Sequence, residues 1–160
     1  MSPTRKKVGL ALGSGGVRGL AHIGVLQTLV KNNIPIDYIA GCSIGAWIGA
    51  HYALYQDIDK LTEATVLNKK EKLTALLEPT LRGGLVRGEK LTVLFRKYFG
   101  DIEFKDLKIP LQIVATDLVS GDRVIFTEGR VVDALRASMS VPYIFAPFVK
   151  DDKVFIDGGI

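Results

Sequence analysis

The sequence predicts an α/β domain of three layers, α/β/α, in which helices lie on both faces of a mainly parallel central sheet. In the N-terminal third, short apolar runs that suit buried strands alternate with longer runs at helical spacing, and this βαβα order is typical of parallel sheets. The chain has 160 residues, of which 48% are hydrophobic. This size and composition fit one domain with a substantial core, so we treat residues 1–160 as a single domain.

The N-terminal part contains two strand-helix units. Residues 8–12 form a continuous apolar run that ends in glycines, which suits a strand buried on both faces. Apolar side chains repeat at helical spacing over residues 20–30, and Lys31-Asn32-Asn33 supplies a helix stop. A second strand is expected over residues 36–40 and a second helix over residues 44–55. Right-handed connections should join the parallel strands.

The remainder of the chain is less regular. Helices are expected near residues 59–64, 72–77 and 89–98, and the breaker-rich segment 78–88 suits the mobile edge of a lid. Strand patterns at 111–116 and 124–127 flank a Ser120-Gly121-Asp122 turn and predict an antiparallel hairpin. A helix over 131–139, an apolar loop over 142–147 and a last strand over 154–156 follow.

Composition argues against several classes of protein. With one cysteine, Cys42, the chain forms no internal disulfide, and with only two histidines, His22 and His51, a zinc site is not expected. No apolar stretch reaches the ~20 residues that cross a bilayer. No secretory leader is recognisable, so we expect a cytoplasmic protein.

Basic residues account for the net charge of +4 and form three clusters, Arg5-Lys6-Lys7, Lys69-Lys70 with Lys72, and Arg96-Lys97. One interpretation is a solvated face that aids solubility. The other is attraction to anionic lipid headgroups, which makes a peripheral contact with a membrane surface an open alternative. Aromatic residues are not interleaved with these clusters, so nucleic-acid binding is not expected.

A Gly-x-Ser-x-Gly pattern spans Gly41-Cys42-Ser43-Ile44-Gly45, where a strand is expected to turn into a helix. In a nucleophile elbow the serine occupies a strained corner, and Gly41 and Gly45 let the backbone turn without a Cβ clash. Ser43 is therefore a candidate nucleophile at a helix N-terminus, where negative charge is stabilised. The alternative is a turn of small residues that lets the helix pack closely on the sheet.

The glycine-rich segment 13–19 follows the first strand and should face the same crevice, because successive parallel strands end at one edge of the sheet. Backbone N–H groups of Gly15 and Gly16 are candidates for stabilising an oxyanion. The rival interpretation is a phosphate-binding loop. The dinucleotide pattern fails because Arg18 stands where its third glycine should be. Arg18 either anchors the loop, meets an anionic headgroup or forms a surface salt bridge.

Asp157 is the candidate base. It ends an apolar strand, and Gly158-Gly159 after it allow close approach of the backbone. No histidine follows it, and His22 and His51 are more typical of structural histidines, so either Asp157 acts directly on Ser43 or the chain is incomplete. A carboxylate can serve as a base when burial raises its pKa toward the working pH. The alternative is an ordinary Asp-Gly turn.

These three motifs, in this order, resemble those of the patatin-like phospholipase family, most closely its bacterial branch related to neuropathy target esterases. The likeness covers nearly the whole chain, including residues 20–26, 87–91, 115–118 and 136–142. The resemblance implies a serine acyl hydrolase for lipid esters, without metal or other cofactor. It implies Ser43 as nucleophile and Asp157 as general base, and it places the oxyanion loop at Ser14, Gly15, Gly16 and Arg18.

The chain departs from the family pattern at two points. Cys42 stands where the family often has threonine, and we interpret it as a harmless small residue beside the nucleophile. Family domains usually continue past Asp-Gly-Gly, so the chain is expected to lack the usual C-terminal part. One alternative that stays open is an inactive lipid-binding or regulatory module, which keeps the fold while the missing part disables turnover. A separate alternative is a nucleotide-binding α/β protein.

Overall fold

A computed structural model describes residues 5–67 and 87–160. These residues form a six-stranded sheet. Its strands are β1 (Gly9–Leu12), β2 (Tyr38–Cys42), β3 (Leu111–Asp117), β4 (Arg123–Phe126), β5 (Phe148–Lys150) and β6 (Lys153–Asp157). The sequence predicted every strand except β5, a short edge strand that follows the expected apolar loop.

Five α-helices lie within the described residues. They are α1 (Ala21–Lys31), α2 (Ile44–Tyr55), α3 (Ile58–Thr62), α4 (Glu89–Phe99) and α5 (Val131–Ser138). Turns of 3-10 helix cover Gly16–Leu20 and Phe104–Asp106, and a π-helical turn covers Glu63–Leu67. The expected helix at 72–77, nearly all of the segment 78–88 and the cluster of Lys69, Lys70 and Lys72 lie outside the described residues. None of the described helices has the length and apolar character needed to cross a bilayer.

Strand pairing confirms the parallel start of the sheet. β1 pairs in parallel with β2, and β2 pairs in parallel with β3. β4 turns back and pairs antiparallel with β3, which confirms the expected hairpin. β6 also runs antiparallel to β3, and β5 pairs antiparallel with β6 at the edge. The parallel strands therefore form one side of the sheet, and the antiparallel strands extend it.

One edge of β3 holds two strands end to end. The first half of β3 pairs with β2, with Cys42 opposite Val114. The second half pairs with β6, with Asp157 opposite Ala115. Because β2 and β6 run in opposite directions, their C-terminal ends meet on this edge. The topology thus brings the residues after Cys42 next to Asp157.

The helical layer packs on one face of the sheet. Gly49 lets α2 approach closely, since a Cβ there would lie 2.9 Å from the Ile39 side chain. Buried residues of α1, α2, α4 and α5 share one core with β1, β2 and β3. Strands β1 to β3 succeed one another in the same direction, and right-handed connections between such strands place both crossover helices on one face. Within residues 5–67 and 87–160, the other face is an open groove bordered by Ala11, Ala40 and Gln112, so the described residues supply one of the two helical layers expected from the sequence.

Candidate active site

Ser43 stands at the corner between β2 and α2 with φ 54° and ψ −124°, a left-handed conformation that is unusual for a residue with a side chain. A Cβ on Gly41 would lie 2.6 Å from Ala46 Cα, and one on Gly45 would lie 2.6 Å from the Gly13 carbonyl oxygen. The two glycines therefore serve both interpretations of the motif. They permit the strained corner, and they let α2 pack closely on the sheet.

The backbone of Ser43 is held from the end of α5. The Ser43 residue is 6% exposed. Its peptide N–H donates to Ser138 Oγ at 2.8 Å, and Ser138 Oγ donates to the Val114 carbonyl at 2.6 Å. In the sequence, Ser138 falls within a segment of family resemblance, and no role was predicted for it. The one feature of the sequence that could have indicated a role for Ser138 is its place as a serine among apolar residues at the end of a buried helix.

Asp157 lies at the end of β6 and is 3% exposed. Its Oδ1 accepts the Gly159 N–H at 2.8 Å and lies 3.9 Å from Cys42 Sγ. Its own N–H donates to the Ser140 carbonyl at 2.9 Å. Oδ2 is buried and has no hydrogen-bond partner among the described residues. One carboxylate oxygen is thus fixed by donors, and the other is free to accept a hydrogen bond.

Cys42 is half-buried between the corner at Ser43 and Asp157. Burial, followed by the nearby negative charge of Asp157, raises the pKa of the Cys42 thiol to about 11. The thiol therefore stays protonated at neutral pH and can donate its S–H to Asp157 Oδ1. From the sequence, Cys42 was expected only to be a small neighbour of Ser43, whereas the structure places it in contact with the Asp157 carboxylate.

The glycine-rich loop borders the same site. Gly15 and Gly16 have φ of 150° and 53° and lead into the 3-10 turn. A Cβ on Gly159 would meet the Ser14 side chain, and a Cβ on Gly45 would meet backbone atoms of Leu12 and Gly13. The glycine-rich loop is therefore in contact with both the Asp-Gly-Gly turn and the elbow. The structure therefore brings together the three motifs that the sequence singled out.

Arg18 projects from this loop into solvent. Its backbone N–H donates to the Gly15 carbonyl at 3.1 Å, which closes the turn. The guanidinium has no ion-pair partner among the described residues, so the surface salt bridge considered from the sequence is not observed there. Neighbouring Val17 is 83% exposed. The outer side of the loop thus presents one cation and one apolar side chain.

The histidines have structural contacts. His22 Nε2 is hydrogen bonded to the Gly13 carbonyl at 2.9 Å, so it braces the glycine-rich loop. His51 is 2% exposed and packs against aromatic rings that include Trp47 and Tyr55. Within the described residues, neither imidazole is hydrogen bonded to Ser43 or Asp157. In that part of the chain, no three His, Cys, Asp or Glu side chains are grouped as metal ligands.

The burial of His51 predicts an acid-sensitive fold. Burial lowers the pKa of His51 from 6.5 to about 4. The unfolded chain therefore binds a proton at higher pH than the folded chain, and stability is lost as pH falls through this interval, by at most about 1.4 kcal/mol per pH unit. Urea unfolding at pH 7 and at pH near 4.5 should show a smaller loss of stability for His51→Phe than for the wild type. An equal loss in both proteins would show that His51 is not the titrating group.

Comparison with known proteins decides the family. The model of the patatin-like phospholipase family matches residues 10–160. The chain belongs to the patatin-like phospholipase family. This membership confirms the resemblance found in the sequence.

Patatin-like relatives of the chain include members of the neuropathy target esterase (NTE) group. An uncharacterised NTE family protein of Mycobacterium bovis is 39% identical over 155 residues, which cover 96% of this chain and 43% of that protein. Neuropathy target esterase of Drosophila melanogaster is 34% identical over 162 residues, covering 98% of this chain and 11% of that protein. The chain thus spans less than half the length of these relatives.

A solved structure shares the patatin-like fold. VipD from Legionella pneumophila superposes with a TM-score of 0.80 at 14% identity, covering 98% of this chain and 46% of VipD. This likeness confirms the α/β fold class.

Proposed function

We propose that the chain is a serine acyl hydrolase that cleaves lipid acyl esters through a Ser43-Asp157 dyad. The main support is the contact between Cys42, the neighbour of Ser43, and Asp157, which sit together because β2 and β6 end on one edge of β3. Family membership supports ester hydrolysis in general. The free Oδ2 of Asp157 supplies the proton acceptor that the reaction needs.

In the acylation step, the Ser43 hydroxyl oxygen attacks the ester carbonyl carbon, and its proton passes to Asp157 Oδ2. The carbonyl oxygen becomes an oxyanion in the tetrahedral intermediate, and N–H groups of the loop at Gly15 and Gly16 stabilise it. As the intermediate collapses, the ester C–O bond breaks and the leaving alcohol takes the proton from Asp157. The acyl group remains on Ser43.

Deacylation uses the same two residues. Asp157 accepts a proton from a water molecule, whose oxygen attacks the acyl carbon of Ser43. The second tetrahedral intermediate collapses, the proton returns to the Ser43 oxygen, and the fatty acid is released. Because Oδ1 remains bound to the Gly159 N–H, Oδ2 can serve as acceptor in both steps without reorientation of the carboxylate.

Labelling tests this function directly. A fluorophosphonate should react covalently with Ser43, and the protein should hydrolyse p-nitrophenyl butyrate. Reaction at Ser43 requires an activated serine, so a folded protein that is neither labelled nor active would contradict the proposed function and favour the alternative of an inactive lipid-binding or regulatory module. Thermal stabilisation by nucleotides in place of turnover would indicate a nucleotide-binding protein.

A substitution in the loop tests the oxyanion role. Gly15 adopts φ 150°, which a side chain disfavours, so Gly15→Ala should redirect the loop N–H groups. We expect kcat for p-nitrophenyl butyrate to fall about 100-fold with little change in KM. Gly121→Ala is the matched control, because Gly121 also has positive φ, at 77°, and lies in the β3-β4 turn. Equal activity of the two variants would remove the loop from the mechanism.

We also propose that lipid substrate is reached at an anionic membrane surface through the outer side of the glycine-rich loop. Support comes from the exposed Val17 and from Arg18, whose guanidinium is unpaired among the described residues. The N-terminal basic cluster contributes less to this membrane contact, because the Arg5 guanidinium donates two hydrogen bonds of 2.6 and 2.7 Å to the Asp37 carboxylate.

A further inference from the structure

Ser138 is a fully buried polar residue for which the dyad mechanism has no use. It ends α5 and has 0% exposure. Its single hydroxyl makes two hydrogen bonds, since Oγ accepts the N–H of Ser43 at 2.8 Å and donates to the Val114 carbonyl at 2.6 Å. The donated bond fixes the hydroxyl hydrogen on Val114 and leaves a lone pair for the Ser43 N–H.

The hydrogen bond from Ser138 to Val114 matters because Val114 lies in the part of β3 that faces Cys42 and Asp157. Val114 faces Cys42 in the β2-β3 register, and the next residue of β3, Ala115, faces Asp157. Ser138 therefore connects the backbone of Ser43 to the part of β3 that lies next to Asp157 of β6. The hydrogen bond also holds Ser43 in its left-handed conformation, which would be strained without support.

We propose that Ser138 is a positioning residue that sets the backbone of Ser43, and with it the direction of the Ser43 hydroxyl, relative to Asp157. This inference rests on the proposed function of the dyad. It has a second consequence for the same site. The N–H of Ser43 is already bound to Ser138, so oxyanion stabilisation falls to other donors, such as those of Gly15 and Gly16.

Three variants separate positioning from simple packing. Ser138→Ala removes the hydroxyl and leaves the Ser43 N–H unpaired. Ser138→Cys fills nearly the same volume but offers only weak hydrogen bonding. Thr65→Val is the matched control, because Thr65 is also buried and its hydroxyl accepts a hydrogen bond from Trp47 of α2, away from the dyad.

The readouts are kcat and KM for p-nitrophenyl butyrate, the rate of fluorophosphonate labelling of Ser43, and Tm. For Ser138→Ala we expect kcat and the labelling rate to fall together by about 30- to 100-fold, with KM nearly unchanged, because a shift of about 1 Å at a reacting group has effects of this size. Ser138→Cys should have a Tm close to that of the wild type but a kcat as low as that of Ser138→Ala. Thr65→Val should lower Tm and keep kcat.

Wild-type kcat in Ser138→Ala, or full recovery of kcat together with Tm in Ser138→Cys, would overturn the proposal. If Ser138→Ala does not fold, Ser138→Cys alone tests the proposal, and a wild-type kcat together with a wild-type Tm in that variant would overturn it. The dyad itself is tested separately by Ser43→Ala. An inactive Ser43→Ala beside a fully active Ser138→Ala removes only the positioning role, whereas an active Ser43→Ala removes the dyad.

Discussion

Replacement of Ser43 by alanine should lower kcat/KM for p-nitrophenyl butyrate at least about a thousandfold, because loss of the nucleophile removes the covalent route altogether. The fold should persist. Alanine adopts the φ of 54° at a cost similar to that of serine, and the Ser43 N–H that binds Ser138 is part of the backbone. Fluorophosphonate labelling should disappear in the same variant.

The matched control for this substitution is Ser120→Ala. Ser120 lies in the β3-β4 turn, where its hydroxyl accepts the N–H of Asp122 at 3.1 Å. This variant should retain kcat/KM and labelling. Circular dichroism and Tm should show both variants to be folded. Substantial hydrolysis by folded Ser43→Ala would exclude Ser43 as the nucleophile.

Asp157→Asn should have an effect of similar size, again at least about a thousandfold on kcat/KM. The amide keeps the shape of the carboxylate, and its oxygen can still accept the Gly159 N–H, so the β6 end should remain in place. A neutral amide cannot accept the serine proton, however, and the reaction loses its base. The measurement is kcat/KM for p-nitrophenyl butyrate with Tm determined in parallel.

Asp152→Asn controls for the change of charge. Asp152 is exposed in the β5-β6 turn and has φ 59°, a conformation that asparagine tolerates well. His22→Ala and His51→Ala complete the comparison and should reduce kcat/KM by less than about tenfold, through loss of loop support and of stability respectively. Collapse of activity on losing either histidine, with Asp157→Asn nearly unimpaired, would replace the dyad by a Ser-His-Asp triad.

Local sequence signals were sufficient for most of the fold. The parallel strands β1 to β3 were predictable because each is a short apolar run beside glycine or a turn, and α2 because its start is marked by the Gly-x-Ser-x-Gly pattern. The sharp corner at Ser43 was predictable for the same reason, since a serine between Gly41 and Gly45 matches the Gly-x-Ser-x-Gly pattern of a strand-to-helix turn. These features depend on neighbours in the sequence.

Features that depend on distant pairing were not predictable. The run at residues 154–156 indicated a strand, but nothing in it specified the antiparallel direction of β6 or its place on the edge of β3. Likewise, the hydrogen bonds of Ser138 to Ser43 and Val114 join residues far apart in sequence, and the local sequence around Ser138 does not indicate them. The 3-10 turn before α1 was missed because the glycine-rich loop has no helical periodicity.

The meeting of β2 and β6 on one edge of β3 has a consequence for biosynthesis. The contact between Cys42 and Asp157 closes a loop in which the two residues are 115 positions apart. At a translation rate of about 5–20 residues per second, the ribosome needs roughly 6–23 s after making the elbow to reach the carboxylate. During this interval the nascent chain carries Ser43, the proposed nucleophile, without Asp157, the proposed base. Under the proposed dyad mechanism, hydrolysis can begin only after β6 has been translated and has docked.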